Sequence, residues 1–229
     1  MHNHGLTRGW FVIDEDKKMM VEEQQPDIPV TILTGFLGAG KTTLLNRILS
    51  ENHNYKIAIV ENEFGKENID TDLLVQTDRE QIVNMNNGCV CCTIRGDLSK
   101  VLTDLRLRRS RGEIKFDYVV IETSGVANPG PVAQTFFMDD AVAAFFRLDG
   151  VVTVVDCKHG SATLDEEAAA RDQVGFADRI LLSKTDLCTA EEVAAMEQRL
   201  RQMTPAPRSA ASTWANALLT KCLTSRAST

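Results

Sequence analysis

The sequence predicts an α/β fold in which a mostly parallel sheet lies between two layers of helices. Short apolar runs, many of them β-branched, alternate along the chain with stretches of helical periodicity. Polar motifs follow several of these runs directly. Strands that are apolar throughout are typical of parallel sheets covered on both faces. The carboxyl ends of parallel strands meet at one edge, where open α/β sheets bind ligands, so we expect a site there.

Six apolar runs are the predicted strands, and the helical spacing between them predicts the covering helices. The predicted strands span 30–34, 56–60, 81–85, 118–121, 151–155 and 179–182. The predicted helices include 44–49, 98–105, 164–176 and 190–203. We therefore expect a polar, loosely ordered N-terminal segment over 1–29, one α/β domain over 30–204 and an atypical tail over 205–229.

Composition and charge narrow the possible functions. The chain has 229 residues, 43% of them hydrophobic, which suits one α/β domain with its own core. Its 32 acidic and 25 basic residues give a net charge of −7, and an acidic surface repels a nucleic-acid backbone. No apolar run reaches the roughly 18 residues of a membrane span, and residues 1–29 have no apolar core of signal-peptide length, so we expect no export signal. We expect a cytoplasmic protein without nucleic-acid or membrane partners.

A glycine-rich loop joins the first predicted strand to the first predicted helix. Its sequence, GFLGAGKTT at 35–43, contains the Gly-x4-Gly-Lys-Thr pattern of a phosphate-binding P-loop. Glycines let backbone N–H groups approach phosphate oxygens, and the helix adds its positive N-terminal end. Lys41 can reach the β- and γ-phosphates, and Thr42 can offer its hydroxyl to Mg²⁺. The predicted cradle consists of Gly35, Gly38, Ala39, Gly40, Lys41, Thr42 and Thr43.

Two further motifs follow predicted strands. Glu122 occupies the position of a Walker B carboxylate, which can hold Mg²⁺ or orient the attacking water, although it could instead cap the next helix. Lys184 and Asp186 stand in Ser-Lys-Thr-Asp, which is similar to the guanine-reading Asn-Lys-x-Asp with Ser183 in place of asparagine. An aspartate can accept two hydrogen bonds from guanine, whereas adenine would present it with an acceptor. The nucleotide indicated is GTP.

Three cysteines form a compact set of soft donors. Cys89, Cys91 and Cys92 lie within four positions, and thiolates suit zinc or copper(I). The spacing lacks the second, distant pair of a zinc finger, so further ligands must come from elsewhere. Glu61 and Glu63, after the second predicted strand, are candidates. A buried cluster of free thiols and a thiol-redox function stay open.

The motifs stand in an order that resembles one protein family. They are GFLGAGKTTLL at 35–45, ENEFG at 61–65, NGCVCC at 87–92, ETSG at 122–125, PGPV at 129–132 and SKTD at 183–186. From about residue 30 to about residue 203 the chain resembles the CobW/HypB/UreG group of P-loop GTPases, in its CobW-like branch of metallochaperones. The resemblance implies a SIMIBI-type GTPase domain, which is a P-loop NTPase three-layer sandwich, with slow intrinsic turnover.

The resemblance also implies roles for individual residues. GTP binding falls on Gly38, Gly40, Lys41, Thr42, Thr43, Lys184 and Asp186, Mg²⁺ binding on Thr42 and Glu122, and zinc or cobalt binding on Cys89, Cys91, Cys92 and Glu61. The implied function is a GTPase that couples its nucleotide state to metal transfer to a client metalloprotein, with a homodimer as one assembly. Lys66 stands where some relatives have a glutamate, so the carboxylate content of the metal site differs.

The tail departs from the family pattern. Relatives continue into a C-terminal domain, whereas residues 205–229 are rich in Ser, Thr and Ala. Pro205-Ala206-Pro207-Arg208 stands where relatives have Pro-Arg-Ala-Pro, a peptide that a neighbouring reading frame can encode. We hypothesise a frameshift near Thr204 that removed this domain, and the coding DNA tests it.

Three other functions stay open from the sequence. The first is a nucleotide-binding metal storage or sensing module with little turnover, which phosphate release measured with and without zinc distinguishes. The second is a thiol-redox protein that uses Cys91 and Cys92, which would oxidise reversibly and hold no stoichiometric metal. The third is a P-loop kinase, which a product assay with candidate acceptors would reveal.

Overall fold

The computed structural model of the protein describes residues 28–50, 55–62, 81–84 and 94–204. These residues form a sheet of six strands: β1 (Ile28–Thr34), β2 (Ile57–Asn62), β3 (Gln81–Asn84), β4 (Tyr118–Thr123), β5 (Phe146–Asp156) and β6 (Arg179–Ser183). Their order is β3-β2-β4-β1-β5-β6, and all neighbouring strands pair in parallel. The predicted α/β class and the six predicted strands are confirmed.

Helices cover both faces of this sheet. Within the described ranges they are α1 (Lys41–Ser50), α2 (Ile94–Ser110), α3 (Gly130–Met138), α4 (Asp140–Ala143), α5 (Gly160–Glu166), α6 (Ala168–Gly175) and α7 (Ala190–Met203). One buried cluster joins β1 and β4 to α2 and α3, for example through Ile32, Leu102 and Phe136. Another joins the alternate strand residues, such as Leu33, to Leu45 of α1. The three layers therefore follow from strands that are apolar on both faces.

Two elements differ from the sequence-based expectation. The predicted helix 164–176 is two helices, α5 and α6, because Glu167 has an extended backbone between them. The Arg171 guanidinium donates to the carbonyl oxygens of Leu164 and Asp165, both at 2.9 Å, and so satisfies carbonyls at the end of α5. Strand β5 begins at Phe146, five residues before the predicted start. The prediction began too late because exposed Arg147 interrupts the apolar run.

The carboxyl ends of the strands bring the polar motifs to one edge of the sheet. The P-loop follows β1, Glu122 is near the end of β4, Asp156 ends β5 and Ser183 ends β6. The register pairs Leu33 with Glu122 across β1 and β4, and Asp156 with Ser183 across β5 and β6. Among the described residues, no helix has the length and apolarity that crossing a bilayer requires.

Candidate nucleotide-binding site

The backbone of the P-loop depends on glycine. Gly35, Gly38 and Gly40 have φ values of +145°, +70° and +98°, which L side chains rarely adopt. A Cβ atom at Gly35 would also lie 2.3 Å from the carbonyl oxygen of Val154, so a side chain there would collide with β5. By contrast, a Cβ atom at Gly38 would have no neighbour within 4 Å. Conformation and close packing therefore both require Gly35, whereas conformation alone favours Gly38.

Lys41 lies inside the loop that it follows. Its Nζ atom donates to the carbonyl oxygens of Gly35 at 2.9 Å and Phe36 at 3.4 Å, and the residue is only 8% exposed. A buried ammonium group needs acceptors, and charged phosphate oxygens are stronger ones than these neutral carbonyls. Lys41, Thr42 and Thr43 form the first turn of α1, where the unpaired N–H groups of a helix favour an anion.

Two carboxylates lie side by side on neighbouring strands. Glu122 of β4 pairs in register with Glu61 of β2, and residues paired in this way point to the same face of a parallel sheet. Glu61 is buried at 5% exposure, whereas Glu122 is partly exposed. The predicted magnesium ligand and the predicted zinc ligand are therefore separated by one strand spacing, about 4.8 Å.

Hydroxyl groups fix the ends of the strands that carry the site. Thr123 Oγ1 donates to Thr34 Oγ1 at 2.8 Å, which ties β4 to β1 just before the P-loop. Ser183 Oγ lies 2.6 Å from the carbonyl oxygen of Ala39 and 3.3 Å from that of Val155. The serine that replaces the usual asparagine is therefore long enough to connect β6 to the P-loop. Although serine is shorter than asparagine, its hydroxyl group still reaches the Ala39 carbonyl oxygen of the P-loop.

The predicted base-binding residues follow Ser183 directly. Lys184 has a left-handed backbone, with φ of +56°, and its Nζ atom donates to Asp156 Oδ2 at 2.7 Å. Asp186 is exposed in the short 3₁₀ helix Thr185–Leu187. This arrangement leaves the Asp186 carboxylate accessible to a ligand, while Lys184 is anchored to the end of β5.

Asp156 is a site residue that the sequence reasoning missed. Burial raises the pKa of its carboxyl group, but hydrogen bonds from Lys184, the His159 ring and the backbone amides of His159 and Lys158 outweigh burial and lower the pKa to about 2. Asp156 is thus ionised at neutral pH and holds the Lys184 ammonium in place. Its position at the end of an apolar strand was the available signal, since the other polar motifs occupy equivalent positions.

The predicted metal site falls mostly on residues outside the described ranges. Cys89, Cys91, Cys92 and Glu63 lie outside the described residues, as does the tail over 205–229 with its hypothesised frameshift. In the part of the chain that is described, no group of three potential metal-binding side chains occurs. Of the four predicted zinc ligands, only Glu61 has a described position, at the edge that carries the P-loop.

Comparisons with known sequences agree with these features. The sequence model of the CobW/HypB/UreG nucleotide-binding domain matches residues 29–210. The zinc chaperone YjiA of Escherichia coli is 47% identical over 176 residues, which cover 77% of this chain and 54% of YjiA. The zinc-regulated GTPase metalloprotein activator 1 of Schizosaccharomyces pombe is 42% identical over 179 residues, covering 76% of this chain and 43% of that protein. The chain spans about half the length of these curated relatives.

Solved structures of P-loop proteins also match this chain. The crystal structure of Zn(II)-bound YjiA GTPase from E. coli matches with a TM-score of 0.62 and 40% identity, over 78% of this chain and 55% of that one. HypB from Helicobacter pylori in complex with nickel matches with a TM-score of 0.52 over 86% of this chain and 88% of that one, and at 19% identity it supports the fold alone. The P-loop, the strand order and the family match agree, and the chain therefore belongs to the CobW/HypB/UreG family through its nucleotide-binding domain.

Proposed function

We propose that this domain binds GTP and hydrolyses it with Mg²⁺. The observation that carries the proposal is the convergence of three motifs at one sheet edge. The P-loop follows β1, Glu122 lies on the adjacent β4, and Lys184 and Asp186 follow β6. Ser183 connects the last of these to the P-loop through Ala39, so phosphate-binding and base-binding groups form one unit.

The proposed phosphate chemistry uses residues whose types fit the ligands. Hydroxyl and carboxylate oxygens are the donors that Mg²⁺ prefers, and Thr42 and Glu122 supply one of each. Thr42 and Glu122 would hold the ion, which would supply positive charge to offset that of the phosphates during transfer. Lys41 exchanges its carbonyl acceptors in the loop for phosphate oxygens, which gain negative charge as the terminal bond breaks.

The proposed specificity for guanine rests on Asp186. Its exposed carboxylate accepts hydrogen bonds from the guanine N1–H and exocyclic amine, and adenine offers an acceptor at the first of these positions. Lys184, which Asp156 holds at 2.7 Å, lies along the base and ribose with its alkyl stem. This assignment predicts a strong preference for GTP over ATP.

For the domain's role, we propose zinc or cobalt handling coupled to the nucleotide state. The support is the naming of YjiA as a zinc chaperone and the Cys89, Cys91 and Cys92 motif, with Glu61 as an oxygen ligand. The register pairing of Glu61 with Glu122 offers a short path between the metal ligand and the nucleotide site. The recipient would be a client metalloprotein in the cytoplasm, and a homodimer is the assembly we propose.

The hydrolysis proposal is tested by phosphate release from GTP and from ATP with the purified full chain, with and without zinc. We expect slow, GTP-selective release that Lys41→Ala removes. Equal release from ATP would contradict the assignment of Asp186. GTP and zinc binding without phosphate release would instead favour the storage or sensing module.

The metal proposal is tested by zinc competition against a chromophoric chelator. We expect Cys91→Ser and Cys92→Ser to weaken zinc binding. Cys188→Ser is the matched control, because it removes a half-buried thiol from the described part of the chain that we do not assign to the site. Equal zinc affinity in all three variants and the wild type would remove the three-cysteine assignment.

A further inference from the structure

The loop between β4 and α3, residues 124–129, is held in place by side-chain contacts with α6. Gln173 Nε2 donates to the carbonyl oxygens of Gly125 and Ala127, both at 3.0 Å. Asn128 Nδ2 donates to Asp172 Oδ2 at 3.3 Å. These bonds join the loop that follows Glu122 to a helix that lies some 45 residues later in the sequence. The orientation of two of its peptide groups therefore depends on one amide side chain.

The other side of the same loop contacts the P-loop. A Cβ atom at Gly125 would lie 2.7 Å from both the backbone nitrogen and Cδ2 of Leu37, so the two loops touch through backbone atoms. Gln173 also lines, together with Phe36 and Leu37, an open pocket beside the P-loop. Gly125 is thus wedged between the phosphate-binding loop and the Gln173 amide.

Packing alone does not account for an amide at position 173. The residue is 1% exposed, and its Oε1 atom is buried without a hydrogen-bond partner among the described residues. An unpaired buried acceptor lowers stability, and an apolar side chain of the same length would avoid this penalty. What an apolar side chain could not supply is the pair of bonds to Gly125 and Ala127. We take these two bonds as the reason for the glutamine.

We propose that Gln173 is a positioning residue that holds the 124–129 loop against the P-loop in the orientation that responds to the γ-phosphate, and that it carries this response to α6. The proposal rests on the proposed GTP binding. Loops that contact the γ-phosphate in P-loop GTPases change their order or position between the triphosphate and diphosphate states. Here the peptide groups of Gly125 and Ala127 can move only if Gln173 and α6 follow them or if their two bonds to Gln173 break.

The test compares Gln173→Met with the wild type in the full chain. Methionine matches the length and flexibility of glutamine but offers no donor for the two carbonyl groups. We expect the affinity for a non-hydrolysable GTP analogue to fall about tenfold, while the affinity for GDP stays within about twofold, since the lost bonds act on the γ-phosphate side. The single-turnover hydrolysis rate at saturating GTP should also fall about tenfold. Gln173→Leu, which likewise offers no donor, should shift both quantities in the same direction.

Thr153→Val is the matched control. Thr153 Oγ1 donates to the backbone carbonyl of Gln173 at 2.8 Å, so the substitution removes one buried hydrogen bond at the same residue but leaves the side-chain amide intact. We expect it to lower the melting temperature without changing the ratio of GTP-analogue to GDP affinity. A shift in that ratio equal to the shift in Gln173→Met would mean that general destabilisation is the cause, and it would overturn the proposal.

Amide hydrogen exchange without nucleotide separates this inference from the proposed function. We expect faster exchange over 124–129 in Gln173→Met and unchanged exchange there in Thr153→Val. A wild type that binds neither GTP nor GDP removes the proposed function and with it the γ-phosphate response. Unchanged exchange over 124–129, or an unchanged affinity ratio in a wild type that binds GTP, overturns the positioning role itself. If Gln173→Met does not fold, the same outcomes are read from Gln173→Leu.

Discussion

The glycines of the P-loop give a graded test of its geometry in the absence of any ligand. Gly35→Ala introduces a side chain at φ of +145° and places its Cβ atom 2.3 Å from the Val154 carbonyl oxygen. The strained backbone costs about 1–3 kcal/mol, and the overlap with β5 adds about 1–3 kcal/mol. Gly38→Ala has a φ of +70° but open space around its Cβ atom, so we expect only about 1–2 kcal/mol.

Gly175→Ala completes the series as a control. Gly175 is the last residue of α6, has no neighbour within 4 Å of an added Cβ atom, and its φ is outside the left-handed region. Alanine there should leave stability unchanged or raise it by up to about 1 kcal/mol.

The assay is urea unfolding of each variant without nucleotide, with thermal melts as a second readout. In a domain of this size, about 1 kcal/mol corresponds to a shift of about 2–4 °C. We expect stability to decrease from Gly175→Ala to Gly38→Ala to Gly35→Ala. Equal destabilisation by Gly35→Ala and Gly38→Ala would refute the reasoning, because it would mean that the close approach of Gly35 to β5 has no energetic effect.

Three further predictions concern the polar groups of the site. Ser183→Ala removes the contact with the Ala39 carbonyl oxygen at 2.6 Å, so we expect the free energy of unfolding in urea to fall by about 1 kcal/mol and GTP binding to weaken in a fluorescence titration. Ser183→Asn should bind GTP more tightly than Ser183→Ala does. Equal GTP binding by the wild type and both variants would contradict the connecting role. Asp186→Asn places an amide donor opposite the exocyclic amine of guanine, which also donates, whereas the base of XTP has a carbonyl oxygen at that position. We therefore expect competition titrations to show a shift in relative affinity from GTP towards XTP of about tenfold or more. An unchanged preference would remove Asp186 from the base site. The pKa of Asp156 is lowered in the folded state from 3.8 to about 2, so between these pH values the unfolded state binds more protons than the folded state. The stability that Asp156 contributes is therefore present above pH 3.8 and is lost as the pH falls towards 2. Asp156→Asn should therefore flatten the dependence of the urea midpoint on pH in that window, and an identical acid limb in the variant would argue against the bond to Lys184.

The sequence carries enough local information for the strands and the P-loop. Apolar runs such as 118–121 and 151–155 cannot be exposed on either face, so they predict a covered parallel sheet before any contact is known. The loop over 35–43 specifies its own conformation through its glycines, and the structure has the positive φ values that this requires. The strands and the P-loop can be predicted from the sequence because neighbouring residues alone determine their conformation.

Other features depend on contacts between distant segments. Gln173 lies in a stretch of helical periodicity and has no sequence signal that separates it from a surface glutamine, yet it is buried because Gly125 and Ala127 approach it. The break at Glu167 is likewise invisible in the apolar pattern, since it is stabilised by Arg171 contacts with the end of α5. The bond between Lys184 and Asp156 required the register of β5 and β6.

We expect the nucleotide state and the metal affinity of this protein to be linked. The most direct test measures the zinc affinity of the full chain with Mg²⁺ and a non-hydrolysable GTP analogue, and again with Mg²⁺ and GDP. Allosteric coupling is typically about 5- to 150-fold, so we expect the two zinc affinities to differ by at least about fivefold. Zinc should then change the preference for the analogue over GDP by the same factor, because linkage is reciprocal. Equal zinc affinities in the two nucleotide states would contradict the account.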